Sequence, residues 1–262
     1  MMLDVRDLSF CYGEKPALLN VSLSMDKGEI LCVMGPNGSG KSTLIECIMG
    51  MNRIEEGMVF LSGRDVRSYS RSETAALVSY VPQNHAVTFP YTVREVVMMG
   101  RTAYLSAFGT PPEGDEKYAD EAMERVGISP LADKPYSLVS GGELRLVILA
   151  RALCQNAPLI LMDEPTAHLD YRNEISFLEI VSELCAKDGI SVLMATHDPG
   201  QAFYFESKGL PVSALFLKEG RVFAKGSPGD VITSGLLEDV YKVKAKILED
   251  ESGKCILLKG AL

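Results

Sequence analysis

The sequence predicts an α/β fold built on a mostly parallel sheet flanked by helices, and two observations support that prediction. In the second half of the chain, apolar segments of strand length alternate with segments of helical periodicity, and strands separated by helices join in parallel through crossover connections. In the first half, the uninterrupted apolar run Ile30–Met34 passes through a glycine-rich loop into a helical segment. With 47% hydrophobic residues, the 262-residue chain can bury a substantial core.

The first half of the chain is predicted to contain strands followed by helices. Apolar residues alternate with serines over Val21–Met25, which predicts a strand with one buried face. A helical pattern over Ser42–Met49 stops at Gly50, and Gly57–Leu61 is predicted to be a strand. The segment Thr92–Glu95 has the capping-box pattern and predicts a helix of about two turns. Small and apolar residues at helical spacing predict another helix over Asp115–Val126.

The second half continues the alternation and ends in a hairpin. The predicted elements are helix Leu144–Leu153, strand Leu159–Asp163, helix Asn173–Cys185, strand Ser191–Thr196, helix Pro199–Glu206, strand Val212–Leu217 and a hairpin of Lys244–Leu248 with Cys255–Leu258. We interpret residues 91–138 as a helical subdomain inserted into a catalytic core of residues 1–90 and 139–262, with a C-terminal extension over residues 243–262.

Composition excludes several classes of protein. Lys plus Arg number 26 against 35 Asp plus Glu, a net charge of −9, which disfavours nucleic-acid binding. The apolar runs are all far shorter than the ~20 residues that a membrane-spanning helix needs. The first residues lack the basic and apolar regions of a signal peptide, so none is expected. Six scattered cysteines without a C-x-x-C pair indicate buried, reduced thiols in a cytosolic protein.

The glycine-rich loop after Ile30–Met34 has the pattern G-x-x-x-x-G-K-[ST]. Its residues are Gly35, Pro36, Asn37, Gly38, Ser39, Gly40, Lys41 and Ser42. The glycines let backbone N–H groups surround phosphate oxygens, and the following helix adds the positive end of its dipole. Lys41 can reach the β- and γ-phosphates of a nucleotide, and the Ser42 hydroxyl can bind Mg²⁺. The alternative is a chance match in a strand-to-helix turn, but the required strand and helix are both predicted here.

The strand Leu159–Asp163 carries two consecutive carboxylates at its end. A buried parallel strand delivers its last residues to the carboxyl edge of the sheet, where the phosphate loop is also expected. Asp163 is then placed to hold a metal, directly or through water, and Glu164 to orient or deprotonate an attacking water. An acidic turn without function is the alternative.

The segment Ser140-Gly141-Gly142-Glu143 precedes a long predicted helix and has two interpretations. Ser140 and Glu143 can form a capping box, which would be purely structural. The two glycines and the serine hydroxyl can also present donors to an anion at the start of the helix. The two interpretations are compatible.

Taken together, these motifs resemble those of the ATP-binding cassette (ABC) ATPases. The resemblance rests on Gly35–Ser42, Val139–Glu143, Leu159–Glu164, Asp170 and His197, in that order and spacing, and covers nearly the whole chain. It implies a single ATPase domain with a P-loop NTPase core, an N-terminal antiparallel β subdomain and the inserted helical subdomain. It also implies ATP and Mg²⁺ as ligands and a homodimer of cassettes. Each ATP would lie between one chain's phosphate loop, with Thr43 following it, and the other chain's signature segment Ser140–Glu143.

Four single residues match functional positions of the family. By resemblance, Tyr12 would stack on adenine, and Gln83 would contact Mg²⁺ and link the site to the helical subdomain. Asp170 would communicate across the dimer, and His197 would touch the γ-phosphate and position water. Taken alone, each has a plainer interpretation as a strand or loop residue. His85 and His168 are interpreted as solvated loop residues.

The segments Thr92–Arg101 and Gly220–Pro228 look like those of importer cassettes that serve iron–siderophore, haem and cobalamin uptake. The resemblance implies separate transmembrane permease subunits, an indirect link to a substrate-binding protein, and a peripheral position at the cytoplasmic face of the membrane. We expect residues 84–91 and the helix Thr92–Met99 to receive a permease helix. The alternatives are an ABC ATPase outside transport, for example in cofactor assembly, and an exporter subunit.

Overall fold

A computed structural model describes residues 1–83, 90–104, 114–251 and 253–262. The strands in these ranges are β1 (Leu3–Tyr12), β2 (Lys15–Met25), β3 (Ile30–Met34), β4 (Val59–Leu61), β5 (Arg64–Asp65), β6 (Val78–Val81), β7 (Leu159–Asp163), β8 (Ser191–Thr196), β9 (Val212–Lys218), β10 (Arg221–Gly226), β11 (Val243–Asp250) and β12 (Gly253–Ala261). The α-helices are α1 (Lys41–Ile48), α2 (Arg71–Leu77), α3 (Val93–Met98), α4 (Glu116–Arg125), α5 (Gly141–Cys154), α6 (Tyr171–Asp188), α7 (Gly200–Ser207), α8 (Pro228–Val231) and α9 (Ser234–Tyr241).

The contacts divide the chain into two compact units. The first comprises Met1–Ser68 and Ser182–Leu262, and the second comprises Tyr69–Val181. The second unit is longer than the predicted insertion of residues 91–138, whose bounds as a subdomain stay a prediction. In the part of the chain that the structure describes, no helix combines the length and the apolar character that crossing a bilayer requires.

The first unit contains an antiparallel sheet in the order β2-β1-β4-β5. Strand β1 pairs with β2 from Leu3 opposite Met25, and with β4 from Leu3 opposite Leu61. The alternation predicted over Val21–Met25 is confirmed, because Val21, Leu23 and Met25 are buried and the serines between them are exposed. The antiparallel N-terminal part of the fold prediction is therefore confirmed.

The first unit also contains the parallel strands that carry the phosphate loop. Strand β3 lies between β8 and β9 and is parallel to both, with Met34 opposite Thr196 and Phe216. Strand β10 pairs antiparallel with β9. Every residue of β3 and β8 is buried, as expected of strands covered on both faces. The ends of β3 and β8 consequently lie side by side at one carboxyl edge.

The predicted terminal hairpin is confirmed. Strands β11 and β12 pair antiparallel from Val243 opposite Ala261 to Asp250 opposite Gly253. Apolar residues on one face, including Val243, Ala245 and Ile247, are half-buried. The hairpin packs through β11 on α9 and through β12 on α7.

In the second unit, the parallel strands β6 and β7 accompany a cluster of helices. Their register places Val81 opposite Met162, so the two strands end within one residue of each other. Helices α3 and α4 pack on α5 and on each other. The predicted capping box of Thr92 with Glu95 is present, and the apolar face of α3 is buried.

A buried ion pair joins two segments of the second unit. The guanidinium of Arg101 donates to both carboxylate oxygens of Asp115, at 3.0 and 3.1 Å, and to the carbonyl oxygen of Cys154 at 3.2 Å. The ring centroids of Tyr104 and Tyr118 lie 4.0 and 4.2 Å from the guanidinium carbon of Arg101. Arg101 and Asp115 are 6% and 5% exposed, so neither charge has bulk water as an alternative partner.

Two differences from the predicted elements have identifiable reasons. Helix α5 begins at Gly141 rather than Leu144, because Ser140 is its N-cap and the helix starts at the next residue. Helix α2 and strand β6 were not predicted, since a four-residue strand that directly follows a short helix leaves little periodicity to detect. The six cysteines are free, as predicted, but Cys11 and Cys255 are exposed rather than buried.

Candidate active site

The phosphate loop joins the end of β3 to the start of α1, and its glycines are sterically required. Gly35 has φ 149°, and a Cβ atom there would lie 2.2 Å from the carbonyl oxygen of Leu217. Gly40 is the N-cap of α1 with φ 106°, and its Cβ atom would lie 2.8 Å from the carbonyl oxygen of Ala17. Any side chain at either position would force the loop away from β9 or β2.

Lys41 lies over its own loop. Its side chain is 6% exposed, and Nζ donates to the carbonyl oxygen of Gly35 at 2.9 Å and approaches that of Pro36 at 3.5 Å. The ammonium is therefore held against the backbone of the loop. As a point charge with three donors, it can exchange a carbonyl partner for a phosphate oxygen.

Two further features of the loop suit an anion. The hydroxyl oxygen of Ser39 is buried, and it has no hydrogen-bond partner among the described residues. A buried hydroxyl without a partner is costly, and a phosphate oxygen would satisfy it. The first turn of α1 carries no acidic residue, so the positive end of the helix dipole is not offset. Ser42 is exposed in that turn, and Asn37 and Gly38 are exposed at the tip of the loop.

His197 and Tyr12 belong to the same unit as the phosphate loop. His197 is exposed and directly follows β8, whose last residue Thr196 is opposite Met34, the last residue before the loop. Tyr12 ends β1, the residue is 51% exposed, and its hydroxyl donates to Oε2 of Glu46 in α1 at 2.6 Å. Both predicted residues are thus exposed at elements that directly adjoin the loop or its helix.

In the second unit, the ends of β6 and β7 bring Gln83 and Glu164 together. Nε2 of Gln83 donates to Oε2 of Glu164 at 3.2 Å. Asp163, the last residue of β7, is 5% exposed, and Glu164 is half-buried with a left-handed backbone, φ 46°. A non-glycine residue in this conformation marks a constrained turn, which here directs the carboxylate of Glu164 toward Gln83.

The signature segment at the start of α5 forms the predicted capping box. The backbone N–H of Glu143 donates to Oγ of Ser140 at 3.3 Å, and the N–H of Ser140 donates to Oε2 of Glu143 at 2.7 Å. These bonds from Ser140, together with Lys134 at 3.7 Å, hold the pKa of the Glu143 carboxyl below its ordinary value. The structural interpretation is confirmed, and anion binding by Ser140, Gly141 and Gly142 stays a prediction.

Two contacts around the signature segment were not predicted. Nη1 of Arg145 donates to the carbonyl oxygen of Pro82 at 3.2 Å, which ties α5 to the loop that carries Gln83. Asn173 donates through its backbone N–H and its side-chain Nδ2 to the two carboxylate oxygens of Asp170, at 2.8 and 3.0 Å. The three-residue spacing of Asp170 and Asn173 is that of a helix cap, which was the available signal in the sequence.

The histidines outside the motifs contribute no metal site in the described part of the chain. His168 is exposed in a turn with φ 67°, as predicted for a solvated loop residue. His85 lies outside the described residues. No cluster of three or more His, Cys, Asp or Glu side chains suited to a metal ion occurs in the described ranges.

Comparisons with known proteins agree with this geometry. The family model described as "ABC transporter" matches residues 18–167. The hemin import ATP-binding protein HmuV of Streptomyces coelicolor (strain ATCC BAA-471 / A3(2) / M145) is 39% identical over 232 residues, which are 87% of this chain and 79% of that protein.

Solved structures give the same result. An ABC transporter described as of the metal-chelate type, in an inward-facing conformation, superposes with a TM-score of 0.84 and 26% identity, covering 100% of this chain and 98% of that chain. The dimeric structure of the bacterial ABC transporter cassette MJ0796 gives a TM-score of 0.73 and 28% identity, covering 87% of this chain and 99% of that chain. The chain therefore belongs to the ABC transporter family and is an ATP-binding, ATP-hydrolysing cassette of that family.

Proposed function

We propose that this chain hydrolyses ATP to drive the import of a metal chelate, of the iron–siderophore, haem or cobalamin type, through separate membrane subunits. The observation that supports ATP hydrolysis most directly is the contact between Gln83 and Glu164 at the ends of two paired parallel strands. The direction of transport and the class of cargo are inferred from the similarity to a hemin import ATP-binding protein and to a metal-chelate type transporter.

In this proposal, the phosphate loop binds the triphosphate of ATP. Backbone N–H groups of residues 37–43, the Lys41 ammonium and the buried Ser39 hydroxyl donate to phosphate oxygens. Tyr12 stacks on adenine. His197, which follows the strand beside the loop, donates to the γ-phosphate and holds the attacking water in line.

Glu164 accepts a proton from the attacking water or orients it. Gln83 donates to one oxygen of this carboxylate at 3.2 Å and so helps to fix its orientation. The donor set predicted for Mg²⁺ is the hydroxyl of Ser42, the amide oxygen of Gln83 and the carboxylate of Asp163. These are hard oxygen ligands of the kind that Mg²⁺ prefers. When bound, Mg²⁺ neutralises charge that develops on the phosphate oxygens.

The proposal includes two assemblies. A second copy of the chain contributes its signature segment, with Ser140, Gly141, Gly142 and Glu143, to each ATP, and Asp170 communicates between the copies. A transmembrane permease docks on the surface around the start and end of α3, where Pro90, Tyr91 and Met99 are exposed. Residues 84–89, which belong to the same expectation, lie outside the described residues. Docking would place the chain at the cytoplasmic face of the membrane.

Affinity capture of the tagged chain from detergent-solubilised membranes tests the function. We expect a multi-span permease to co-purify, and the reconstituted complex to take up haem or a ferric siderophore when ATP is supplied. Recovery of the chain only from the soluble fraction, with a cofactor-assembly partner, would favour an ATPase outside transport. Efflux rather than uptake by the reconstituted complex would favour an exporter.

A matched pair of variants tests the docking surface. Tyr91→Ser should abolish permease capture, because an exposed aromatic is a typical interface anchor. Phe223→Ser is the control, since Phe223 is 45% exposed on β10 and Tyr91 is 40% exposed. Equal capture of the two variants would remove Tyr91 from the docking surface.

A further inference from the structure

Tyr12 is held by a hydrogen-bond network that joins it to the helix following the phosphate loop. Its hydroxyl donates to Oε2 of Glu46 at 2.6 Å, and Nδ2 of Asn52 donates to the same oxygen at 3.0 Å. Tyr12 and Glu46 are 34 residues apart in the chain, so this contact exists only in the folded first unit. One carboxylate oxygen with two donors has a defined position, and it fixes the end of the Tyr12 side chain.

The ring of Tyr12 remains available to a ligand. Tyr12 as a residue is 51% exposed, and its ring centroid lies 4.9 Å from that of its aromatic neighbour Phe10, at an interplanar angle of 88°. A perpendicular neighbour covers one ring face at most, so a second face is left uncovered by Phe10. The polar end of Tyr12 is thus occupied by Glu46, while an apolar face stays open to a flat partner.

We propose that Glu46 is a positioning residue for nucleotide binding. Together with Asn52, it holds the Tyr12 ring in the orientation that receives the adenine base. The inference rests on the proposed function, because it takes Tyr12 as the residue that stacks on adenine. It adds that base recognition is anchored on α1, the helix whose first residue is Lys41. Glu46 lies five residues further along α1, about 7.5 Å at the rise of an α-helix.

The physical advantage is preorganisation. A half-exposed tyrosine at the end of a strand would otherwise sample several rotamers, and binding would have to immobilise it. With the hydroxyl held by Glu46, that cost is already met when the protein folds. Loss of the network should therefore weaken ATP binding about three- to tenfold, the scale of immobilising one side chain or losing one hydrogen bond.

The test measures the dissociation constants of ATP and of inorganic tripolyphosphate by calorimetry, and KM and kcat for ATP, in the full chain. We expect Glu46→Ala to raise Kd and KM for ATP about three- to tenfold, with little change in kcat and in tripolyphosphate affinity. Glu46→Gln should restore the parent values, because an amide oxygen can accept the same two hydrogen bonds. Tyr12→Phe should match Glu46→Ala, and the double variant should lose no more than either alone.

Glu14→Ala is the matched control for charge, since Glu14 is an exposed carboxylate two residues from Tyr12. If Glu14→Ala weakens ATP binding as much as Glu46→Ala does, the loss of affinity comes from the change in net charge, and the inference is overturned. Equal weakening of tripolyphosphate binding in Glu46→Ala would show damage to α1 instead and would also overturn it.

The experiments distinguish failure of adenine stacking by Tyr12 from failure of the positioning role of Glu46. If Tyr12→Ala leaves ATP affinity unchanged, adenine stacking by Tyr12 is wrong, and the inference about Glu46 is wrong with it. If Tyr12→Ala weakens ATP binding while Glu46→Ala and Tyr12→Phe leave it unchanged, only the positioning role is wrong. Because Tyr12→Phe removes only one hydroxyl, it still tests the positioning role of Glu46 if Glu46→Ala does not fold.

Discussion

Replacing Glu164 by glutamine should separate ATP binding from ATP hydrolysis. The substitution keeps the size of the side chain, and an amide oxygen at the position of Oε2 can still accept the hydrogen bond that Gln83 now donates at 3.2 Å. The constrained turn at Glu164, φ 46°, imposes the same backbone strain on either residue, since both carry a Cβ atom. The change that remains is the loss of a basic oxygen next to the attacking water.

The magnitude follows from that loss. Removing a general base typically costs ~10²- to 10⁴-fold in rate, which corresponds to about 2.7–5.4 kcal/mol of activation free energy at 1.36 kcal/mol per factor of ten. We expect kcat for ATP to fall by at least about 100-fold, while the dissociation constant of ATP with Mg²⁺ stays close to that of the parent. The ATP-bound variant should then accumulate as a dimer.

The assay is phosphate release under saturating ATP, combined with calorimetry and size-exclusion chromatography. Glu121→Gln is the control, because Glu121 is an exposed carboxylate on α4 and its loss changes the net charge identically. Gln83→Ala provides a second comparison, since it removes the partner of Glu164 and leaves the carboxylate. Hydrolysis by Glu164→Gln at a rate similar to the parent would refute the assignment of Glu164 as the base.

Three further predictions concern binding and stability. Lys41→Ala should abolish ATP binding in calorimetry, because the ammonium is the charge that the loop presents to phosphate, and measurable binding near the parent value would contradict this. Tyr12→Ala should weaken ATP binding by about 1–2 kcal/mol, the value of one aromatic–base stack. Asp115→Ala should lower the free energy of unfolding in urea by ~3–5 kcal/mol, because it leaves the Arg101 guanidinium buried without its carboxylate. The exposed Asp120→Ala on the same helix should cost about 1 kcal/mol or less.

Three of the parallel strands could be predicted to the residue. Ile30–Met34, Leu159–Asp163 and Ser191–Thr196 coincide with β3, β7 and β8. Each is a mostly apolar run that is buried along its whole length, and such a run is readily recognised as a strand covered on both faces. Capping boxes likewise located the start of α3 at Thr92, since the cap is a local hydrogen-bond pattern.

Contacts between distant residues could not be predicted in this way. The resemblance to the family identifies Tyr12 and Gln83 as candidates, and the end of a buried strand identifies Glu164, but periodicity carries no information about which side chains meet. The bond from Tyr12 to Glu46 depends on how β1 packs beside α1, and the bond from Gln83 to Glu164 depends on the register of β6 with β7. Both are properties of tertiary structure, and a four-residue strand such as β6 is itself too short to detect.

The close packing of Gly142 has a practical consequence for mutational studies of the signature segment. A Cβ atom on Gly142 would lie 2.8 Å from the side-chain amide of Asn173, which is the group that holds Asp170. A substitution at Gly142 would therefore displace the Asn173 side chain and break one of its two hydrogen bonds to Asp170, even in a monomer that binds no nucleotide. Loss of activity in such a variant would have two causes that the experiment cannot separate, a blocked anion site and a disturbed cap of α6. Gly141, whose Cβ atom would meet open space in this structure, offers the cleaner experiment.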